Sequence, residues 1–202
     1  MIQYELTKDI NQLSLESKIN INVQVSDVLK KYLPKEYFYF HLKKQRLDEL
    51  GWGIDEIKLL LNEILKYSPN VVITKDIEVD ENSKILKENF NSFDFKNNNY
   101  LNKNKKIIFF DNIDGKDIYN VITLSKKIIA FHGMMTSLGA INKKNILDLY
   151  QCNIKNWNDY RNYRNSFYEF KPSYNGYHFI IPNKDIKKSL RKMKFFLTNI
   201  ND

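Results

Sequence analysis

Between Ile54 and Tyr67 the apolar residues Ile57, Leu60, Leu61, Ile64 and Leu65 recur with a 3.6-residue period, and Ser68-Pro69-Asn70 follows them as a stop. The spacing predicts a helix. A β-branched run, NVVIT (70–74), comes directly after it, and an aromatic run too short for a helix, YFYFHL (37–42), precedes it. These read as two strands flanking the helix, with the charged stretch KKQRLDELGWG (43–53) as a polar loop. Short connections of this kind favour right-handed parallel pairing.

The same alternation resumes after residue 106. KIIFFD (106–111), KKIIAFHG (126–133) and NILDLY (145–150) read as strands, while GKDIYNVITLS (115–125) and MMTSLGAINKK (134–144) read as helices. Five strand-like runs separated by helices predict an α/β fold, a Rossmann-like parallel sheet with helices on both faces. The intervening stretch, 76–106, is rich in Asn and Lys, with a helix near 83–90 and an otherwise weakly ordered composition. Residues 1–34 read as a lead-in segment, and 35–202 as one domain with an aromatic-rich region and a closing helix over 184–197. No clean period runs through 151–183.

Composition adjusts this picture at three points. A single cysteine, Cys152, cannot form an internal disulfide, so a reducing, cytoplasmic setting is expected. No apolar stretch approaches the length of a membrane span, and the N-terminal residues lack the pattern of a secretion signal. The net charge of +8 would suit nucleic acid, but only Arg46, Arg161, Arg164 and Arg191 supply guanidinium groups. Scattered lysines are poor readers of bases, so nucleic acid is disfavoured as a partner and a small anionic ligand fits the charge as well.

Ligands of parallel α/β sheets bind at the carboxyl ends of the strands, where loops and helix N-termini converge. The strongest candidate is AFHGMMTSLGA (130–140). Gly133 permits a tight turn, and the following helix start offers unpaired N–H groups beside Met134, Thr136, Ser137 and His132, a cradle for an anion. The plainer alternative is that Gly133 only turns the chain and Thr136 or Ser137 only caps a helix. Lys43 and Lys44 follow the first strand and could neutralise phosphate, while Asp111 and Asn112 follow the third and could accept from a base or ribose. Arg161 and Arg164, set among tyrosines, form a candidate anion clamp. The chain has no GxGxxG, Walker, HExxH or GxSxG motif, and its three histidines are too dispersed to suggest a metal site.

The stretch from YFYFHL through KIIFFDNIDGKDIYNVITLSKKIIAFHGMMTSLGAINKKNILDLY resembles the nucleotide-sugar-binding half of GT-B glycosyltransferases, nearest in layout to the heptosyltransferase group. The match covers about residues 35–150 and rests on pattern and on one glycine turn. It implies that His132, Gly133, Met134, Thr136 and Ser137 hold the donor diphosphate, with Lys43 or Lys44 as a further phosphate contact, and a second resemblance, to glycosyltransferases with an HG-x-x-T-type turn, implies His132 as the catalytic candidate. It also implies metal-independent transfer without a cofactor, in surface glycan synthesis. The Asp-Ser usual before the glycine reads Phe131-His132 here, and Met135 or Thr136 replaces a histidine expected after it.

A complete GT-B enzyme has two such halves, so the expectations are a fragment or split enzyme, with an acceptor-domain partner chain or a homo-oligomer completing it. The rival is a non-catalytic interaction module that keeps the half fold. A basic RNA-binding surface is a third reading. The donor-binding reading requires residues 132–137 to share one rim with residues 41–46.

Overall fold

The computed structural model describes residues 24–76, 81–103, 105–150, 158, 161 and 176–199. Its elements in chain order are α1 (Asp27–Tyr32), β1 (Phe38–Leu42), α2 (Lys44–Leu50), α3 (Ile54–Ile64), β2 (Val71–Lys75), α4 (Glu81–Asn89), β3 (Asn91–Asp94), β4 (Asn99–Leu101) and β5 (Ile107–Asp111). They continue with α5 (Gly115–Leu124), β6 (Lys127–Phe131), α6 (Met134–Ile141), β7 (Asn145–Leu149), β8 (Tyr177–Ile180) and α7 (Ile186–Asn199). The strands form one sheet in the order β4-β3-β5-β2-β1-β6-β7-β8, parallel throughout except for the β3–β4 hairpin. The expected Rossmann-like α/β architecture is therefore present.

Near-continuous apolar strands bury both faces, because side chains alternate and helices cover each side. Phe38, Phe40, Val71, Ile73, Phe109, Ile129 and Leu147 point to one core, with α2, α3, α4 and α7. Tyr39, Val72, Ile108, Phe110, Ile128 and Ile146 point to the other, with α1, α5 and α6. Residues 24–33 contribute to that second core through Leu29, which is fully buried.

The structure departs from the sequence reading in three places. KKQRLDELGWG is a helix, not a loop. Pairs at Lys44–Asp48, Gln45–Glu49 and Arg46–Glu49 brace it, Leu47 and Leu50 bury its inner face, and Gly51 at φ +67° closes it. The Gly51 and Trp52 N–H groups donate back to the carbonyls of Asp48 and Leu47, completing a Schellman-type end.

The Asn-rich stretch forms β3 and β4. Asp94 accepts from the N–H groups of Lys96 and Asn97, Asn98 takes φ +49°, and Asn91 accepts from the N–H groups of Lys103 and Lys105. Here the polar side chains build turns instead of leaving the segment loose. Finally, β8 adds a parallel strand beyond β7, within a region that showed no period. Among the described residues no helix is long and apolar enough to cross a membrane.

Candidate functional site

From β1 the chain steps to β2 and onward to β5, then returns to β6 on the other side of β1. The helices leaving the carboxyl ends of β1 and β6 pack on opposite faces of the sheet, Leu47 of α2 in one core and Met135 of α6 in the other. Diverging connections open a crevice at such a switch point. Residues 41–46 and 132–137 meet there: Lys43 Nζ lies 3.8 Å from the point where a Cβ on Gly133 would stand.

Gly133 has φ +153° and ψ −154°, a conformation open in practice to glycine alone. Its carbonyl accepts from the N–H groups of Thr136 and Ser137 at 3.1 and 3.2 Å, and its own N–H donates to Thr136 Oγ1 at 3.2 Å. Thr136 is fully buried, and its hydroxyl also donates to the Gly133 carbonyl at 2.7 Å. Thr136 thus locks the turn from within. Ser137 Oγ reaches the same carbonyl at 3.4 Å. The N–H groups of Met134 and Met135 are the first-turn donors that have no partner among the described residues. They lie at the start of α6, where the helix field favours an anion. The Met134 side chain is exposed, and Lys43 Nζ makes no hydrogen bond among the described residues.

His132 leaves the end of β6 with its Nδ1 2.7 Å from Oδ2 of Asp148. Register explains the pair: Ala130 faces Asp148 across β6 and β7, so the acid on β7 lies one strand over from the histidine at the rim. Asp148 is completely buried, whereas the His132 side chain is 40% exposed. The Tyr150 ring meets the imidazole edge-on at 4.2 Å. With Nδ1 engaged, Nε2 is the nitrogen left to face a ligand.

On the other flank a buried chain of polar groups leads out of the core. Tyr39 Oη lies 2.6 Å from Thr74 Oγ1, which lies 2.8 Å from His41 Nδ1, and His41 Nε2 lies 3.1 Å from Asp76 Oδ1. Burial pushes the Tyr39 hydroxyl far above its ordinary range, so it stays protonated. At Asp76 burial acts to raise the carboxyl, but the His41 hydrogen bond, the charges of His41 and Lys43 and the Lys44 N–H together hold it below the usual range. Asp76 therefore tethers the start of α2 and holds an anionic charge close to Lys43.

The remaining candidates are elsewhere or occupied. Lys44 pairs with Asp48 along α2. Asp111 and Asn112 end β5, two strands from Lys43, in a cluster of their own. Lys87 bridges Asp94 and Asp111 at 2.8 and 2.7 Å, and Asn112 Nδ2 donates to Asp94 at 3.0 Å. That cluster splices β3 to β5. Arg161 is exposed, and Arg164 lies outside the described residues. Sequence reasoning missed Asp148, although one acid inside the apolar run NILDLY was a visible signal. No group of three metal-ligating side chains stands together among the described residues.

No protein-family model matches the chain, and no curated protein does. Solved structures do. A Listeria monocytogenes protein assigned as a UDP-N-acetylglucosamine 2-epimerase superposes with a TM-score of 0.54 at 11% identity, covering 87% of this chain and 40% of its own. The Methanocaldococcus jannaschii UDP-GlcNAc 2-epimerase, solved with UDP-GlcNAc and UDP, gives a TM-score of 0.53 at 16% identity, covering 97% of this chain and 46% of its own. The fold is thus that of one GT-B-like half, and the chain spans less than half the length of these proteins.

Proposed function

We propose that the crevice between β1 and β6 binds the diphosphate of a nucleotide sugar, and that the chain is the donor-binding unit of a GT-B-type glycosyltransferase. One observation carries this reading: Lys43 overhangs the Gly133 turn, next to the amides of Met134 and Met135, which have no partner among the described residues. A cation and two helix-start donors together match a diphosphate, each charge-assisted hydrogen bond contributing about 1.5–3 kcal/mol. The same fixed dipoles would stabilise the negative charge that grows on a departing diphosphate. UDP is the first nucleotide to try, because a structural neighbour was solved with UDP and UDP-GlcNAc. The narrower kinship with heptosyltransferases, and service in surface glycan synthesis, rest on the sequence pattern.

The test is calorimetry with UDP, ADP, GDP and CDP on the wild type and on the Gly133→Val and Lys43→Gln variants. Binding of at least one nucleotide, weakened about tenfold or more by either substitution, is the expected outcome. Indifference to both substitutions removes the site.

A second reading is favoured by the 40% and 46% coverage of the neighbours' lengths. In it the unit binds the sugar nucleotide without turnover until a partner supplies the remaining machinery. Turnover of a nucleotide sugar by the isolated chain would exclude that reading.

A further inference from the structure

Resting on the diphosphate reading above, we infer that Asp148 is a positioning residue which fixes the His132 imidazole so that Nε2 carries a proton to the bound phosphate. A fully buried carboxylate 2.7 Å from Nδ1 selects the form in which Nδ1 bears hydrogen, and the partly exposed ring leaves Nε2 toward solvent. The Tyr150 ring, edge-on at 4.2 Å, limits rotation of the imidazole about its own axis. His132 immediately precedes the glycine of the anion turn, so a phosphate held by the Met134 and Met135 amides lies within its neighbourhood.

Among the described residues the titratable groups in contact with the ring are Asp148 on β7 and Tyr150 just beyond β7, while Lys43 from the β1–α2 junction, with Asp76 beside it, faces the adjoining Gly133 turn. A diphosphate held at the Gly133 turn brings negative charge beside His132, which favours the imidazolium. Binding then couples to protonation: a proton leaves the buffer, bonds to Nε2 and is donated in a hydrogen bond to a phosphate oxygen, while Asp148 stabilises the imidazolium from behind.

The experiment has two arms. In the first, titration of UDP into the full chain near neutral pH, in two buffers of different ionisation enthalpy, counts protons taken up per nucleotide. The wild type is expected to take up a substantial fraction of about one proton. His132→Gln abolishes the uptake, and the isosteric Asp148→Asn sharply reduces it while binding persists. Wild-type binding without proton uptake, or uptake unchanged in Asp148→Asn, overturns the proposal.

In the second arm, nitrogen NMR of the ligand-free wild type reads the tautomer of neutral His132. Hydrogen on Nδ1 is expected, and hydrogen on Nε2 overturns the proposal even if Asp148→Asn fails to fold. Absence of nucleotide binding with hydrogen on Nδ1 would sink the diphosphate reading and the proton transfer that rests on it, leaving only Asp148's hold on the ring.

Discussion

A glycine at φ +153° beside the Lys43 ammonium makes Gly133 the residue whose replacement separates backbone strain from steric blocking. Among the described residues a Cβ there would meet only Lys43 Nζ, at an ordinary contact distance of 3.8 Å, so Gly133→Ala makes no clash with them. Its cost is conformational, about 1–3 kcal/mol, and denaturant unfolding should show the midpoint falling with an unchanged slope.

Acid pH tests a second set of residues. Lys87, Asn112 and Asn97 hold the Asp94 carboxyl well below its usual range against the opposing effect of burial, and Asp76 is lowered as well. For both groups the unfolded chain takes up its proton at higher pH than the folded one, so acid favours unfolding. Their contribution is complete above the ordinary carboxylate value of 3.8 and is lost as pH falls through the lower folded values. Unfolding free energy should therefore fall steeply as pH drops below 4 in the wild type and less steeply in Lys87→Met, as urea unfolding at a series of pH values would show. Gly133, His132 and Lys43 were legible from sequence because a glycine after a strand and polar groups beside it have local signatures. Asp148 was not singled out, since its role depends on cross-strand register.

At the level of elements, α6 sits unusually close to the sheet. A Cβ on Gly139 would stand 2.6 Å from Ile128 Cδ1 and 3.1 Å from Ile146 Cδ1, so this glycine sets how near the last turns of α6 come to the starts of β6 and β7. Gly139→Leu should destabilise by roughly 2–3 kcal/mol through overpacking and should also weaken nucleotide binding, as calorimetry on the folded fraction would show. The splice between β3 and β5 is a different case. Removing the Lys87 ammonium leaves two carboxylates facing one another, both mostly buried, and Lys87→Met should cost about 2 kcal/mol in urea unfolding.

Long periodic helices and β-branched runs were readable, as α3, β2, β5 and β6 show. The element α2 was not, because its seven residues carry a weak apolar stripe and its stability comes from i, i+3 and i, i+4 charge pairs together with a left-handed glycine. β3 and β4 hid behind asparagines whose turn-making bonds appear only once the chain has folded back on itself.

For the molecule as a whole, the path of the chain decides where chemistry can occur. Nothing in the spacing of Lys43 and Gly133, ninety residues apart, says that they adjoin; the placement of β6 against β1 does. The parallel fold was predicted from alternating runs, and the crevice follows from the order in which those runs pair. A ligand that bridges two such distant segments should stabilise the entire cooperative unit. UDP at about 100 times its dissociation constant should raise the melting temperature by roughly 5–10 °C, and the tenfold weaker binding of Lys43→Gln should cut that rise to about half at the same UDP concentration.

The hairpin at one margin of the sheet has a further outcome. β4 is three residues long, runs against its neighbour and is mostly exposed, with Asn99, Tyr100 and Leu101 as its entire length. So brief a border offers almost no template for a foreign strand to zip onto, and growth of the sheet into fibrils is discouraged on that side despite an asparagine-rich sequence of the kind that favours such growth.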